Sequence, residues 1–131
     1  EKLLTERKRV FEIYDKAFSK CEWAILPPSE VGDKKTSYHI YALRIKDFSE
    51  EQRDAMIEEI AKKDVAVNVH FIPMPMLSFF KQLGYNIEDY QVAYNNYKHE
   101  ISLPIYPQLT KEEVDYVVES VIEAYDKVRP R

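Results

Sequence analysis

The chain has 131 residues, 45% hydrophobic and 32% charged, with 19 basic against 23 acidic residues and a net charge of −4. That length is one domain, able to bury about 68% of its unfolded surface and so to support its own core. Two glycines, Gly32 and Gly84, exclude a glycine-rich phosphate loop, and the clusters Arg7-Lys8-Arg9, Lys34-Lys35 and Lys62-Lys63 are too short and scattered for a nucleic-acid groove.

The chain opens on a helical pattern. Leu3, Leu4, Arg7, Val10, Phe11, Tyr14, Ala17, Phe18 and Cys21 recur at three- and four-residue spacing, one face of a long amphipathic helix. Glu1 already lies inside this pattern and is no initiator methionine, so the chain reads as the tail of something longer. Cys21 falls on the same stripe. A single cysteine excludes an internal disulfide and fits a reducing cytoplasm, and its place on the stripe marks it for packing rather than reactivity. Pro27-Pro28 closes the first element, and residues 29–35 read as a polar loop, the one plausible hinge. The expected division is a linking helix over residues 1–26 and a domain over 27–131.

Residues 37–45 alternate, with His39, Tyr41, Leu43 and Ile45 on one face of a strand and Tyr38, Ile40, Ala42 and Arg44 on the other. Ser49 with Gln52 forms a capping box, in which each residue satisfies a backbone N–H near the other. It opens a helix whose apolar stripe is Met56, Ile57, Ile60 and Ala61. After a turn at Lys63-Asp64, Val65 to His70 alternates as a second strand, and Pro73 and Pro75 hold Ile72 to Pro75 as an extended loop. Leu77, Phe79 and Phe80 suggest a short helix ending at Gly84, and Tyr90, Ala93, Tyr94 and Tyr97 another helical face. Ile101 to Pro104 reads as a third strand. Thr110 with Glu113 caps the last helix, striped by Val114, Val117, Val118, Val121, Ile122, Tyr125 and Val128. The expected fold is α+β: a small three-stranded, mostly antiparallel sheet with helices packed on one face, preceded by the long linking helix.

Chemistry-bearing residues are few. His39, His70 and His99 lack the spacing of a metal pair, and no apolar run approaches the ~18 residues of a membrane span. His99, among Asn96, Lys98 and Glu100, is expected to be exposed. His39 reads either as a backbone-bonded histidine or as a pocket residue. His70, ending a strand before a proline-stiffened loop, is the best candidate to face a ligand. The tyrosines at 90, 94 and 97 read first as core or interface packing, with a stacking platform as the other option. Met74, Met76, Leu77, Phe79 and Phe80 read as core or as a surface covered by another domain or subunit. The carboxylates are placed on solvated helix faces, and no nucleophile–base pair emerges.

Four segments in order carry a resemblance: Ser37-Tyr38-His39-Ile40-Tyr41, Val67 to Pro73, Ile101-Ser102-Leu103-Pro104-Ile105-Tyr106-Pro107, and Leu109 to Val114. Together they resemble the carboxy-terminal domain of the DegT/StrS group, pyridoxal-phosphate aminotransferases of fold type I that act on nucleotide-linked keto-sugars. The opening helix, with Arg7 and Tyr14, is similar to the one leading from the large domain to the small one. The resemblance implies transfer of an amino group, usually from glutamate, in a homodimer with sites shared across its interface. It also implies that the cofactor lysine lies in a large domain before residue 1. This chain alone is then expected to hold no pyridoxal phosphate, no metal and no catalytic residue. The implied substrate-binding residues are His70, Phe71 and His39, with Pro73 positioning the loop. Phe71 lacks the hydroxyl that many members offer there, and Pro75 stands where a second histidine is common. On residues alone, a free-standing α+β interaction or small-ligand regulatory module is the alternative.

Overall fold

The computed structural model describes residues 1–130. Helix α1 (Lys2–Phe18) is followed by strand β1 (Ala24–Ile25), a hairpin of β2 (Glu30–Val31) and β3 (Lys34–Lys35), and strand β4 (Tyr41–Ile45). Helix α2 (Glu50–Ala61), the short helix α3 (Ser78–Gln82), α4 (Gln91–Lys98), strand β5 (Glu100–Leu103) and helix α5 (Lys111–Val128) complete the chain. One sheet has the order β1-β4-β5, antiparallel throughout, and β2-β3 forms a separate two-stranded ribbon. The fold is α+β, with the long helix first.

The core lies between one face of the three-stranded sheet and helices α1, α2 and α5. Alternation sends Tyr41, Leu43 and Ile45 of β4 inward, and Ile101 and Leu103 of β5 beside them. Against these pack Val10, Phe11, Tyr14 and Phe18 of α1, Met56 and Ile60 of α2, and Val114, Val117, Val121 and Ala124 of α5. Phe11 meets Tyr41 edge-on, with ring centres 4.7 Å apart. The buried hydroxyls are satisfied: Tyr14 donates to the Pro104 carbonyl at 2.7 Å, and Tyr41 to Asp15 Oδ1 at 2.9 Å. Both capping boxes are formed. Ser49 Oγ accepts from the Gln52 N–H and Thr110 Oγ1 from the Glu113 N–H, each reciprocated by the longer side chain.

Four expectations are corrected. The strand over residues 65–70 shrinks to a single bridge, Asn68 opposite Ser102. Beyond it side chains replace the ladder: the Val69 N–H turns to Asn68 Oδ1 at 2.8 Å and the His70 N–H to Glu100 Oε2 at 3.1 Å. The sheet's third strand is β1 instead, two residues too short to show a period. The strand expected from Ser37 starts at Tyr41, because Tyr38 sits at φ 54° and breaks the alternation. Its ring lies in the core, edge-on to Phe11 at 5.2 Å, while His39, expected on the strand face of Tyr41, is exposed and lies outside the strand. On α2, Ala61 is exposed and Arg53 takes a buried place on the stripe. Finally, α1 ends at Phe18. Cys21 lies three residues beyond it, half-buried against the core, where burial pushes its thiol pKa up and favours the unreactive form.

Candidate functional site

The other face of the sheet is polar. In the β4–β5 pair, Ala42 lies opposite Ser102 and Arg44 opposite Glu100. Helix α4 and the 70–73 loop lie over this face and leave a cavity of about 450 Å³. Its walls bring together Arg44, His70, Phe71, Pro73, Asn96 and Tyr97. A second cavity, of about 460 Å³, opens beside β5 and is lined by His39, Asn68 and His70 among others. His70 thus borders both. The structure brings all four residues singled out from sequence, His39, His70, Phe71 and Pro73, to these two cavities, with His39 meeting His70 only at the second.

The loop is held from below. Glu100 is only 5% exposed, yet it carries a carboxylate. One oxygen accepts from the His70 N–H and the other from the Ser102 hydroxyl. Asn68 and Ser102 exchange backbone hydrogen bonds at 3.2 and 2.7 Å. Burial holds the Glu100 pKa above the usual carboxylate range, and the bonds from Ser102 and His70 offset only part of that rise. The sequence reading placed the carboxylates on solvated helix faces; Glu100 is the exception, on a strand covered from both sides.

Arg53 supports the far wall. It is buried, donating Nη1 to the Tyr97 carbonyl at 2.9 Å and Nε to Asp54 Oδ1 at 2.6 Å, with its guanidinium 4.9 Å from the Tyr97 ring centre. The Tyr97 hydroxyl donates to Glu50 Oε1 at 2.8 Å. The sequence held a signal for this: Arg53 stands three residues before Met56 and seven before Ile60, on the buried face of the helix. Tyr97 and Tyr94 are half-buried and Tyr90 is exposed, so none of the three belongs to the core. His99, expected in solvent, is half-buried with Nδ1 sealed and unpartnered among the described residues. Burial, then Arg44 and Lys98, hold its imidazole pKa down.

Outward from the first cavity runs an apolar rim. Phe71 is 68% exposed, Phe79 63% and Val92 78%. Of the 74–80 cluster, Met74 and Phe79 are exposed and so are not core. A smaller apolar groove of about 320 Å³ lies between Pro73, Met74, Phe80, Tyr85 and Tyr90. Among the described residues no helix is long and apolar enough to cross a membrane, and no group of three or more His, Cys, Asp or Glu could hold a metal ion.

Residues 1–122 match the model of the DegT/DnrJ/EryC1/StrS aminotransferase family. The uncharacterized protein MJ1066 of Methanocaldococcus jannaschii is 36% identical over 117 residues, which cover 88% of this chain and 30% of that protein. The UDP-4-amino-4,6-dideoxy-N-acetyl-beta-L-altrosamine transaminase of Campylobacter jejuni is 28% identical over 127 residues, covering 96% of this chain and 33% of that enzyme. Among solved structures, the PLP form of Spr1654 from Streptococcus pneumoniae superposes with a TM-score of 0.92 at 34% identity, covering 98% of this chain and 32% of that one. The chain spans about a third of the length of these relatives. With the match running from the first helix into the last, the chain belongs to the DegT/DnrJ/EryC1/StrS aminotransferase family.

Proposed function

We propose that this chain is the small domain of a pyridoxal-phosphate aminotransferase that moves an amino group from glutamate to a nucleotide-linked keto-sugar, with residues 1–26 leading in from a large domain. The observation that carries this reading is the exposed His70–Pro73 loop, which borders two cavities and is tied through Glu100 to the sheet beneath. Loops mounted on a rigid sheet are where substrate-contacting groups are usually placed. The transaminase named for a UDP-linked sugar in C. jejuni and the PLP and PMP forms of Spr1654 support the substrate class and the cofactor.

The role of this chain is binding. His70 offers its imidazole to a substrate hydroxyl or phosphate, Pro73 limits the loop's freedom, Phe71 covers the reacting region from water, and His39 supports the second cavity. No lysine lines either cavity, so these residues do not fit a cofactor held through a lysine, and the electron-sink chemistry belongs to the rest of the enzyme. The complete enzyme is a cytoplasmic homodimer in this reading, and the exposed rim of Phe71, Met74 and Phe79 supports coverage by another domain or subunit.

In the complete enzyme, His70→Ala is expected to raise KM for the nucleotide sugar by roughly 5- to 150-fold, the equivalent of the ~1–3 kcal/mol cost of an unpaired polar contact. Unchanged affinity together with lost folding would assign His70 a structural role instead. The 131-residue chain, mixed with pyridoxal phosphate and reduced with borohydride, is expected to give no stoichiometric adduct. Mass spectrometry showing one lysine fully labelled would contradict the division of labour.

A further inference from the structure

Arg44 and Glu100 stand opposite one another in the β4–β5 pair, and opposite charges so placed ordinarily attract across a sheet. Here they do not pair. Both Glu100 oxygens are taken by the His70 N–H and the Ser102 hydroxyl. Arg44 turns to α4, where Nη1 donates to Asn96 Oδ1 at 2.6 Å. Among the described residues, no carboxylate forms an ion pair with it. An amide oxygen orients a guanidinium without neutralising it, so Arg44 keeps its charge and the remaining donors of its planar fork. In a chain of net charge −4, this leaves a cation directed by a neutral partner at the wall of a 450 Å³ cavity, beside His70 and Tyr97. That volume suits a small ligand, and the fork suits two oxygens of one anionic group.

We infer that Arg44, oriented by Asn96, binds an oxyanion of the substrates in this cavity: a diphosphate oxygen of the nucleotide sugar or the carboxylate of the amino donor. The inference rests on the function proposed above and adds to it a residue that contacts substrate through charge. His70 offers an imidazole hydrogen bond, whereas Arg44 offers a guanidinium charge to the same cavity. The competing account is that Arg44 only ties β4 to α4.

The test is steady-state kinetics of the complete enzyme with both substrates, at several ionic strengths, for wild type, Arg44→Gln, Arg44→Lys and Asn96→Ala. Arg44→Gln is expected to raise KM for one substrate by about tenfold or more, the size of a lost charge-assisted hydrogen bond, and to change the other by less than about twofold. The salt dependence of the affected KM should flatten, because the screened charge is gone. Arg44→Lys should fall between wild type and Arg44→Gln, and Asn96→Ala should give a smaller rise with salt dependence kept. A rise confined to the nucleotide sugar assigns the diphosphate; one confined to the amino donor assigns the carboxylate. Both KM values unchanged, or both shifted together with a lowered melting temperature and unaltered salt dependence, overturn the inference. A wild-type enzyme that transaminates no nucleotide sugar overturns the parent reading and this inference with it, whereas an active wild type with an indifferent Arg44→Gln overturns the inference alone.

Discussion

On one side of the sheet, Tyr41, Leu43, Ile45, Ile101 and Leu103 are sealed beneath three helices; on the other, Ala42, Arg44, Ser102 and Glu100 meet a short helix and an irregular loop. The same two strands build both. On the first side, non-directional burial does the holding, and many side chains share the load. On the second, each polar group must find its own partner, and a few bonds carry the loop: the Asn68–Ser102 exchange and the two acceptors of Glu100. The sealed core and the first cavity therefore lie on opposite faces of one sheet. The second side keeps a cavity and exposed rings.

Substitutions can break this contrast or sharpen it. The largest effect is expected at Leu43→Ala, which empties part of the sealed side and should cost about 2–5 kcal/mol in urea unfolding. A loss under about 1 kcal/mol would mean that the two sides are packed alike. Next is Glu100→Ala, which leaves the His70 N–H and Ser102 hydroxyl without their acceptor and should cost about 1–3 kcal/mol. Glu100→Gln sharpens the point through pH. Burial raises the Glu100 pKa above its unfolded value, so the folded state favours the protonated carboxyl, and that stability is lost as pH rises through the folded pKa. The neutral amide does not titrate. The stability difference between Glu100→Gln and wild type should therefore move in favour of the variant between about pH 4 and pH 7. A difference that stays constant over that range would show that the carboxylate is not penalised by its site. The smallest effect is expected at Phe79→Ser on the open rim, within about 0.5 kcal/mol of wild type by thermal unfolding. A large loss there would show that the rim is part of the core.

Much of the sealed side was legible residue by residue. The stripe of α5, the two capping boxes, the inward alternation of β4 and the α1 positions from Val10 to Phe18 all involve neighbours within a few residues, and each appears in the structure, whereas Leu3 and Leu4 at the start of the α1 stripe are exposed. The cavity side was legible only in part. His70, Phe71 and Pro73 were singled out, and they do border the first cavity. Arg44, Asn96, Glu100 and Tyr97 were not assigned to it. Arg44 and Asn96 are 52 residues apart, and Glu100 and His70 are 30 apart, with no spacing rule to join them. Tyr38 misled for a different reason: its left-handed backbone interrupts the extended run before Tyr41, and alternation in the sequence cannot report that.

By itself the sequence determined where the helices lie, where the two capped ones begin, and most of the buried stripe of α5. Periodicity and capping act over three or four residues, and nothing distant needs to agree. Only the tertiary structure decided that Val65 to His70 would abandon its ladder, that a two-residue strand would complete the sheet, and that a carboxylate would be buried beneath a loop. Those outcomes depend on which group offers the better hydrogen bond once the core has closed, and a backbone N–H donates to a side-chain oxygen as readily as to the carbonyl of a neighbouring strand.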